Sequence, residues 1–213
     1  VCRRTLCLVL AAAARELYPS LRLLVGHSLG YGYYYTLESE GNKIAIDLPA
    51  LEKKMRDIIA ADMPVETRYV SYEEALDIFS NTNQPETYRL LNHISKPKIL
   101  TNRIGSYTDL YFQPLLDKTG ILTVFELMSY GEGFLLRFPP TSHPSRLSTF
   151  EDIPQLFTIY SQSKKWGKLI GVSSVGQLNE LVGKRKAKDY VEITETLQNK
   201  KIAEIADKIA ERK

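Results

Sequence analysis

Apolar residues recur at Leu6, Leu10, Ala13, Ala14 and Leu17, the spacing of one helix face, and the run stops at Tyr18-Pro19, where proline denies a further turn. Residues 21–28 and 32–38 then read as two strands of a hairpin turning at Gly30, and Tyr33, Tyr34 and Tyr35 favour a pleated, half-buried surface. Asp47 stands at the N-cap of a second helix with Pro49 in its first turn. Leu51, Met55, Ile58 and Ile59 make its apolar face, and Glu52, Lys53, Arg56 and Asp57 its polar one. A strand over 65–70 leads to Ser71 and Glu74, the S-x-x-E pattern that opens a helix through Ala75, Leu76 and Phe79, and a further helix is expected over 85–94.

The pattern changes to strands over 98–104, 107–112, 121–130 and 134–138, with glycines at the bends. Helix and strand blocks are segregated in a way that predicts an α+β fold, an antiparallel sheet flanked by helices. Pro139, Pro140 and Pro144 deny both helix continuation and central-strand pairing, which places a boundary after 138 and a linker over 139–153. A helical connector over 154–213 follows. It contains a helix over 154–170, a capping box at Ser174 and Gln177, and a final helix over 189–213 on which Ile193, Leu197, Ile202, Ile205 and Ile209 outline an apolar stripe.

Composition adds limits rather than chemistry. The 213 residues are 44% hydrophobic and 25% charged, the balance of an ordinary globular protein. The formal charge is +3, and residues 184–213 alone carry nine basic and six acidic side chains, so the body of the chain balances near zero and charge gives it little claim to nucleic acid. Cys2 and Cys7 form no spaced disulfide framework, which favours a reducing, cytoplasmic setting. Arg3-Arg4 and the apolar run after them imitate a secretory leader, but the helical spacing continues through Arg15 and Glu16. No apolar run reaches the roughly 20 residues that span a bilayer. The first residue is Val1 rather than methionine, and a fragment is expected.

Motifs of common enzymes are missing. Gly167-Lys168 and Gly183-Lys184 lack the rest of a phosphate-binding G-x-x-x-x-G-K-[ST] loop, His27, His93 and His143 are far apart, and no CxxC or G-x-S-x-G occurs. No catalytic residue, metal site or cofactor is therefore assigned to this chain.

Residues 4–19, followed by Val25-Gly26-His27-Ser28-Leu29-Gly30-Tyr31-Gly32-Tyr33-Tyr34-Tyr35, resemble the start of the editing-type domain, the second additional domain, of threonyl- and alanyl-tRNA synthetases. That start is a helix closed by an aromatic-proline pair, then a strand and a Gly-aromatic-Tyr-Tyr run. Residues 47–60 resemble the family's LEKxM helix, Val70-Ser71-Tyr72-Glu73-Glu74-Ala75 its VSxxEA segment, and residues 107–116 fall where its cysteine-histidine motif belongs, so the resemblance covers 1–138. Active members place HxxxH on the first helix and CxxxH on the later segment, a metal-capable pocket that hydrolyses mischarged tRNA. The matching positions here are Arg4, Leu8, Tyr111 and Leu115. Leucine has no lone pair to give and arginine stays protonated, so the resemblance implies a degenerate site.

Asp109-Leu110-Tyr111-Phe112-Gln113-Pro114-Leu115, Thr119-Gly120, Phe125-Glu126-Leu127 and Gly133-Phe134-Leu135-Leu136-Arg137-Phe138-Pro139 look like the version found N-terminal to the P-loop domain of uridine-kinase-like bacterial proteins. Trp166-Gly167, Gly171-Val172 and residues 200–206 resemble that group's connector. The resemblance implies a non-catalytic accessory region whose partner is a kinase domain of the same polypeptide, with ATP and magnesium belonging only to that absent domain. It would position a nucleoside, a tRNA or the kinase itself. Arg4, His27, Asp109, Tyr111 and Arg137 are candidates to line the old pocket. Two alternatives stand beside this: an altered aminoacyl-RNA hydrolase using Asp109 and His27, and a docking or homo-oligomerisation element over 190–209.

Overall fold

The computed structural model describes every residue except Glu40, Asn83, Arg212 and Lys213, so the end of the helix expected over 189–213 lies outside the described residues. The described elements are α1 (Cys2–Leu17), β1 (Arg22–Ser28), β2 (Gly32–Ser39), β3 (Asn42–Lys43), α2 (Leu48–Ala60), β4 (Glu66–Ser71), α3 (Tyr72–Asn81), α4 (Pro85–Leu91), β5 (Lys98–Ile104), β6 (Tyr107–Asp109), β7 (Glu126–Tyr130), β8 (Gly133–Arg137), α5 (Pro154–Leu169), α6 (Val175–Gly183) and α7 (Ala187–Ala210). The fold class is α+β, as the segregated pattern predicts. The chain divides into two units, Val1–Ile78 with Pro97–Tyr160 and Phe79–Lys96 with Ser161–Lys213.

The first unit holds two antiparallel sheets where the sequence suggested one. The larger runs β1-β2-β8-β7 with β3 beside β2, and the smaller runs β4-β5-β6. α1 is buried along most of its length, at Thr5, Leu6, Leu8, Val9, Leu10, Ala12, Ala13 and Ala14. Its surroundings are Leu51, Met55, Ile58 and Ile59 of α2, Tyr35, Leu37, Phe134 and Leu136 of the larger sheet, and Ile104 of the smaller. The side-chain period of two in β2 and β8 sends Tyr35, Phe134 and Leu136 to that inner face, and Tyr34 and Leu135 to the outer one. Both faces of β2 are therefore covered, which is why its three successive tyrosines are not alternated with polar residues.

The outer face is closed by Leu29, Phe150, Phe157 and Tyr160. The first unit thus runs on past the proline-rich stretch to Tyr160. Two hydrogen bonds hold residues 148–152 in that unit: Arg137 Nη2 donates to the Ser148 carbonyl, and Tyr130 Oη donates to Asp152 Oδ1 at 2.5 Å. Loss of water first, and then the Asp152 carboxylate, push the Tyr130 phenol up to about 12.

Local chemistry explains several boundaries. Asp47 caps α2 by accepting from Ala50 N at 3.0 Å, and Ser71 Oγ accepts from Glu74 N at 3.0 Å. The Glu74 carboxylate pairs with Arg68 at 2.9 Å. The strand expected over 121–130 begins only at Glu126, since Leu122 N closes a turn onto Thr119 O at 3.0 Å while Leu122 and Phe125 turn into the core.

In the second unit Arg89 joins Glu86 of its own helix at 3.1 Å and Glu180 of α6 at 3.0 Å, and Ser174 forms the full capping box with Gln177. On α7 the apolar residues Ile193, Ile202, Ile205 and Ile209 are between 51% and 59% exposed. Among the described residues no helix is long and apolar enough to cross a membrane.

Gly133 opens β8 beside the backbone of β2: a Cβ there would lie 2.2 Å from the Tyr35 carbonyl oxygen and 2.8 Å from the Tyr34 hydroxyl. Backbone cannot yield as a side-chain tip can. Gly133→Ala is expected to lower the free energy of unfolding by about 1–3 kcal/mol in urea titrations; an unchanged midpoint would refute the close approach.

Candidate functional site

The N-terminal half of α1 and the segment after β6 come together through their side chains. Arg4 donates from Nε and Nη2 to the Pro114 carbonyl, each at 3.3 Å, and Thr5 Oγ1 accepts from Leu116 N at 2.9 Å. Asn102 lies opposite Asp109 in the β5–β6 pair and opposite Thr67 in the β4–β5 pair. It is 2% exposed, donates to Thr67 Oγ1 at 2.8 Å and accepts from Tyr111 N at 3.1 Å. Asp109 ends β6 by turning its Oδ1 onto Leu110 N at 2.8 Å, while its Oδ2 accepts from Tyr107 Oη at 3.0 Å. That local capping is why the strand expected over 107–112 stops at Asp109.

The titratable groups gathered here resist charge. Burial raises the Cys7 thiol, although the Tyr35 hydroxyl donates to its sulfur and opposes part of the rise. Tyr35 is driven far above the ordinary phenol range by burial first and by Cys7 next, and Tyr111 likewise by burial and then by Asp109. Tyr107 follows the same order, with Arg15 opposing it. Asp109 is raised by loss of water, opposed by its bonds from Leu110 and Tyr107. The cluster therefore offers neutral thiol and phenol groups, not a thiolate or phenolate nucleophile. A raised pKa makes a carboxylate a stronger general base once ionised, but both Asp109 oxygens are already engaged.

The sequence candidates separate into two groups. Arg4, Leu8, Tyr111 and Leu115 all meet the inner core or its rim: Leu8 is 0% exposed, and Tyr111 and Leu115 pack against the same cluster. Asp109 belongs with them through Tyr111 and Tyr107. His27 and Arg137 lie across the larger sheet and do not join them. The His27 ring stacks on Tyr160 with centroids 3.9 Å apart and lies near Tyr34 and Phe157. Arg137 pairs with Glu126 at 2.6 Å and sits 5.5 Å from the Phe150 ring. Among the described residues no three His, Cys, Asp or Glu side chains gather as a metal-holding group.

Sequence reasoning passed over Cys7, Tyr35, Asn102 and Tyr107 as site residues. Cys7 is one helical turn beyond Arg4, a spacing visible in the sequence, whereas Asn102 enters only through strand register, which no local pattern announces.

The fold and this cluster define an α+β domain with a small polar centre walled by a buried helix. No protein-family model matches the chain. Over 121 residues it is 33% identical to the threonine–tRNA ligase of Lawsonia intracellularis, an alignment covering 57% of this chain and 19% of that protein. It is 35% identical over 129 residues to the threonine–tRNA ligase of Rubrobacter xylanophilus and 34% over 128 residues to that of Coxiella burnetii, covering 61% and 60% of this chain and 20% of each ligase. About three fifths of the chain is thus related to one portion of threonine–tRNA ligases, and the chain spans about a fifth of the length of these curated relatives.

Because folding raises the Asp109 pKa, its contribution to stability is present in acid, where both states are protonated, and is lost as pH rises and the unfolded chain ionises first. Asp109→Asn removes this titration. In thermal melts from pH 4 to pH 8 the variant should gain on the parent as pH rises, by about 1.4 kcal/mol for each unit by which folding raises the acid. A difference between the two proteins that did not change with pH would contradict the raised acid.

Proposed function

We propose that residues 1–138 are an editing-type domain of the threonyl-tRNA synthetase kind in which the hydrolytic residues have been replaced. In this reading the domain is a non-catalytic part of a longer, cytoplasmic, uridine-kinase-like polypeptide and helps to position a nucleoside or an RNA. The observation that carries it is the state of the four matched positions. Arg4 is turned onto the Pro114 carbonyl, Leu8 is wholly buried, and Tyr111 and Leu115 pack on the core. These side chains do not fit a metal ion, since none but tyrosine offers a donor atom and the Tyr111 phenol is held protonated by burial. The similarity to threonine–tRNA ligases over about 60% of the chain supports the domain type. ATP and magnesium chemistry would belong to the kinase domain, which is the proposed partner.

A second reading, that α7 docks against another surface, is favoured by the exposure of Ile193, Ile202, Ile205 and Ile209. The two readings make different demands on the degenerate site.

Incubated with threonine-acceptor tRNA mischarged with serine, the chain is expected to leave the ester decaying at the buffer rate. In parallel titrations with uridine, ATP and uncharged tRNA at two salt concentrations, saturable binding of a nucleoside or tRNA is expected, weakened several-fold by Tyr111→Ala. Ester hydrolysis abolished by Asp109→Ala would overturn the non-catalytic assignment. Failure to bind any of the three would remove the positioning role and leave docking.

A further inference from the structure

The larger sheet has a seam. Tyr35 of β2 pairs with Val25 of β1 on one edge and with Phe134 of β8 on the other, whereas Glu38 pairs with Arg22 of β1 and with Lys43 of β3. β2 therefore changes partner along one edge, from β8 to β3, with Ile44 N donating to Leu37 O at 2.9 Å just beyond the change. β8 begins at Gly133 and β3 ends at Lys43, and between these strand ends the sheet opens into a cavity of about 320 Å³. None of the residues discussed for the α1 site lines it.

The cavity has two kinds of wall. Leu37 and Phe134, 3% and 2% exposed, form its floor with Ile46 and Leu48, all four belonging to or packed on the main core. Lys43 and Glu132 line it from facing segments, their charged ends 2.6 Å apart and their side chains 37% and 78% exposed. An apolar floor beneath one cation and one anion matches a molecule with the same layout: adjacent opposite charges on one end and an aliphatic tail on the other.

We infer that this seam binds a small zwitterion with an aliphatic side chain, of the class of leucine-like free amino acids. The ligand carboxylate meets the Lys43 ammonium, its ammonium meets the Glu132 carboxylate, and its side chain covers the half-buried Ile46 and Leu48, which Leu37 and Phe134 back from the core. Parting Lys43 from Glu132 costs little, because an exposed ion pair contributes only about 0–1 kcal/mol and the zwitterion restores both partners. A carboxylic acid alone occupies Lys43 and sets its charge against Glu132, and an amine alone does the reverse against Lys43. The site thus discriminates by requiring both charges, while the floor rewards the tail. The volume accommodates a leucine-sized molecule with ordered water.

The test is equilibrium dialysis of the full chain with leucine, 4-methylpentanoate and 3-methylbutylamine, checked by ligand-observed NMR. Leucine should saturate in the millimolar range, and each singly charged analogue should bind more weakly by up to about fivefold, the worth of one lost exposed charge contact. Lys43→Glu and Glu132→Lys, both at the surface, should each reduce leucine binding at least as much, with unchanged melting curves. The double charge swap should restore it. Absence of saturable leucine binding, equal binding of all three compounds, or binding indifferent to both single variants would overturn the assignment.

Discussion

The burial of α1 between two sheets is the constraint on which the first unit depends. A helix that is a surface element in many domains has Leu8, Val9, Leu10 and Ala13 at 0% exposure here, so it needs apolar contact from α2, from the larger sheet and from the smaller one. The alanines at 11–14 let the neighbouring elements approach closely, and Leu6, Leu8, Val9 and Leu10 before them fill the remaining volume. Polar side chains lie at its two ends, Arg15 and Glu16 in the last turn and Arg4, Thr5 and Cys7 in the N-terminal half, where they meet the segment after β6.

That geometry also governs the chemistry of the polar centre. Tyr35, Tyr107, Tyr111, Cys7 and Asp109 are each shifted toward their neutral forms, and in every case loss of water is the leading cause. In such surroundings a phenol or a thiol is a hydrogen-bonding group of fixed polarity rather than a reactive anion. The same burial that makes α1 a structural axis therefore keeps the centre uncharged. The outer face of the larger sheet follows a different logic: Arg137 is compensated by Glu126 and by the Ser148 carbonyl, and His27 is enclosed by aromatic rings. Two faces of one sheet thus hold polar groups by two separate means, which is why candidates adjacent in a sequence argument, Arg137 and Asp109, do not meet.

Helices were the more legible elements because each carries its evidence locally. The apolar face Leu51, Met55, Ile58 and Ile59 is the buried set of α2, and Ser174 with Gln177 caps α6 as the spacing implied. Strand ends were less so. Leu122 and Phe125 continue an apolar run and look like strand, yet they enter the core from a turned segment. Nor does any local pattern mark the two-residue β3, which exists because Glu38 and Ser39 of β2 present a free edge beyond β8.

The sequence by itself determined the α+β class, the helix faces, the caps and the resemblance carried by its motifs, because periodicity and capping act over a few neighbouring residues. Tertiary structure alone decided that two sheets rather than one enclose α1, that Arg4 and Tyr111 lie apart from His27 and Arg137, and that a partner change along β2 leaves a seam. The reason is physical: which face a strand turns inward is fixed by a period of two, but which strand lies next to it is settled by contacts between residues a hundred positions apart, such as Tyr35 with Phe134.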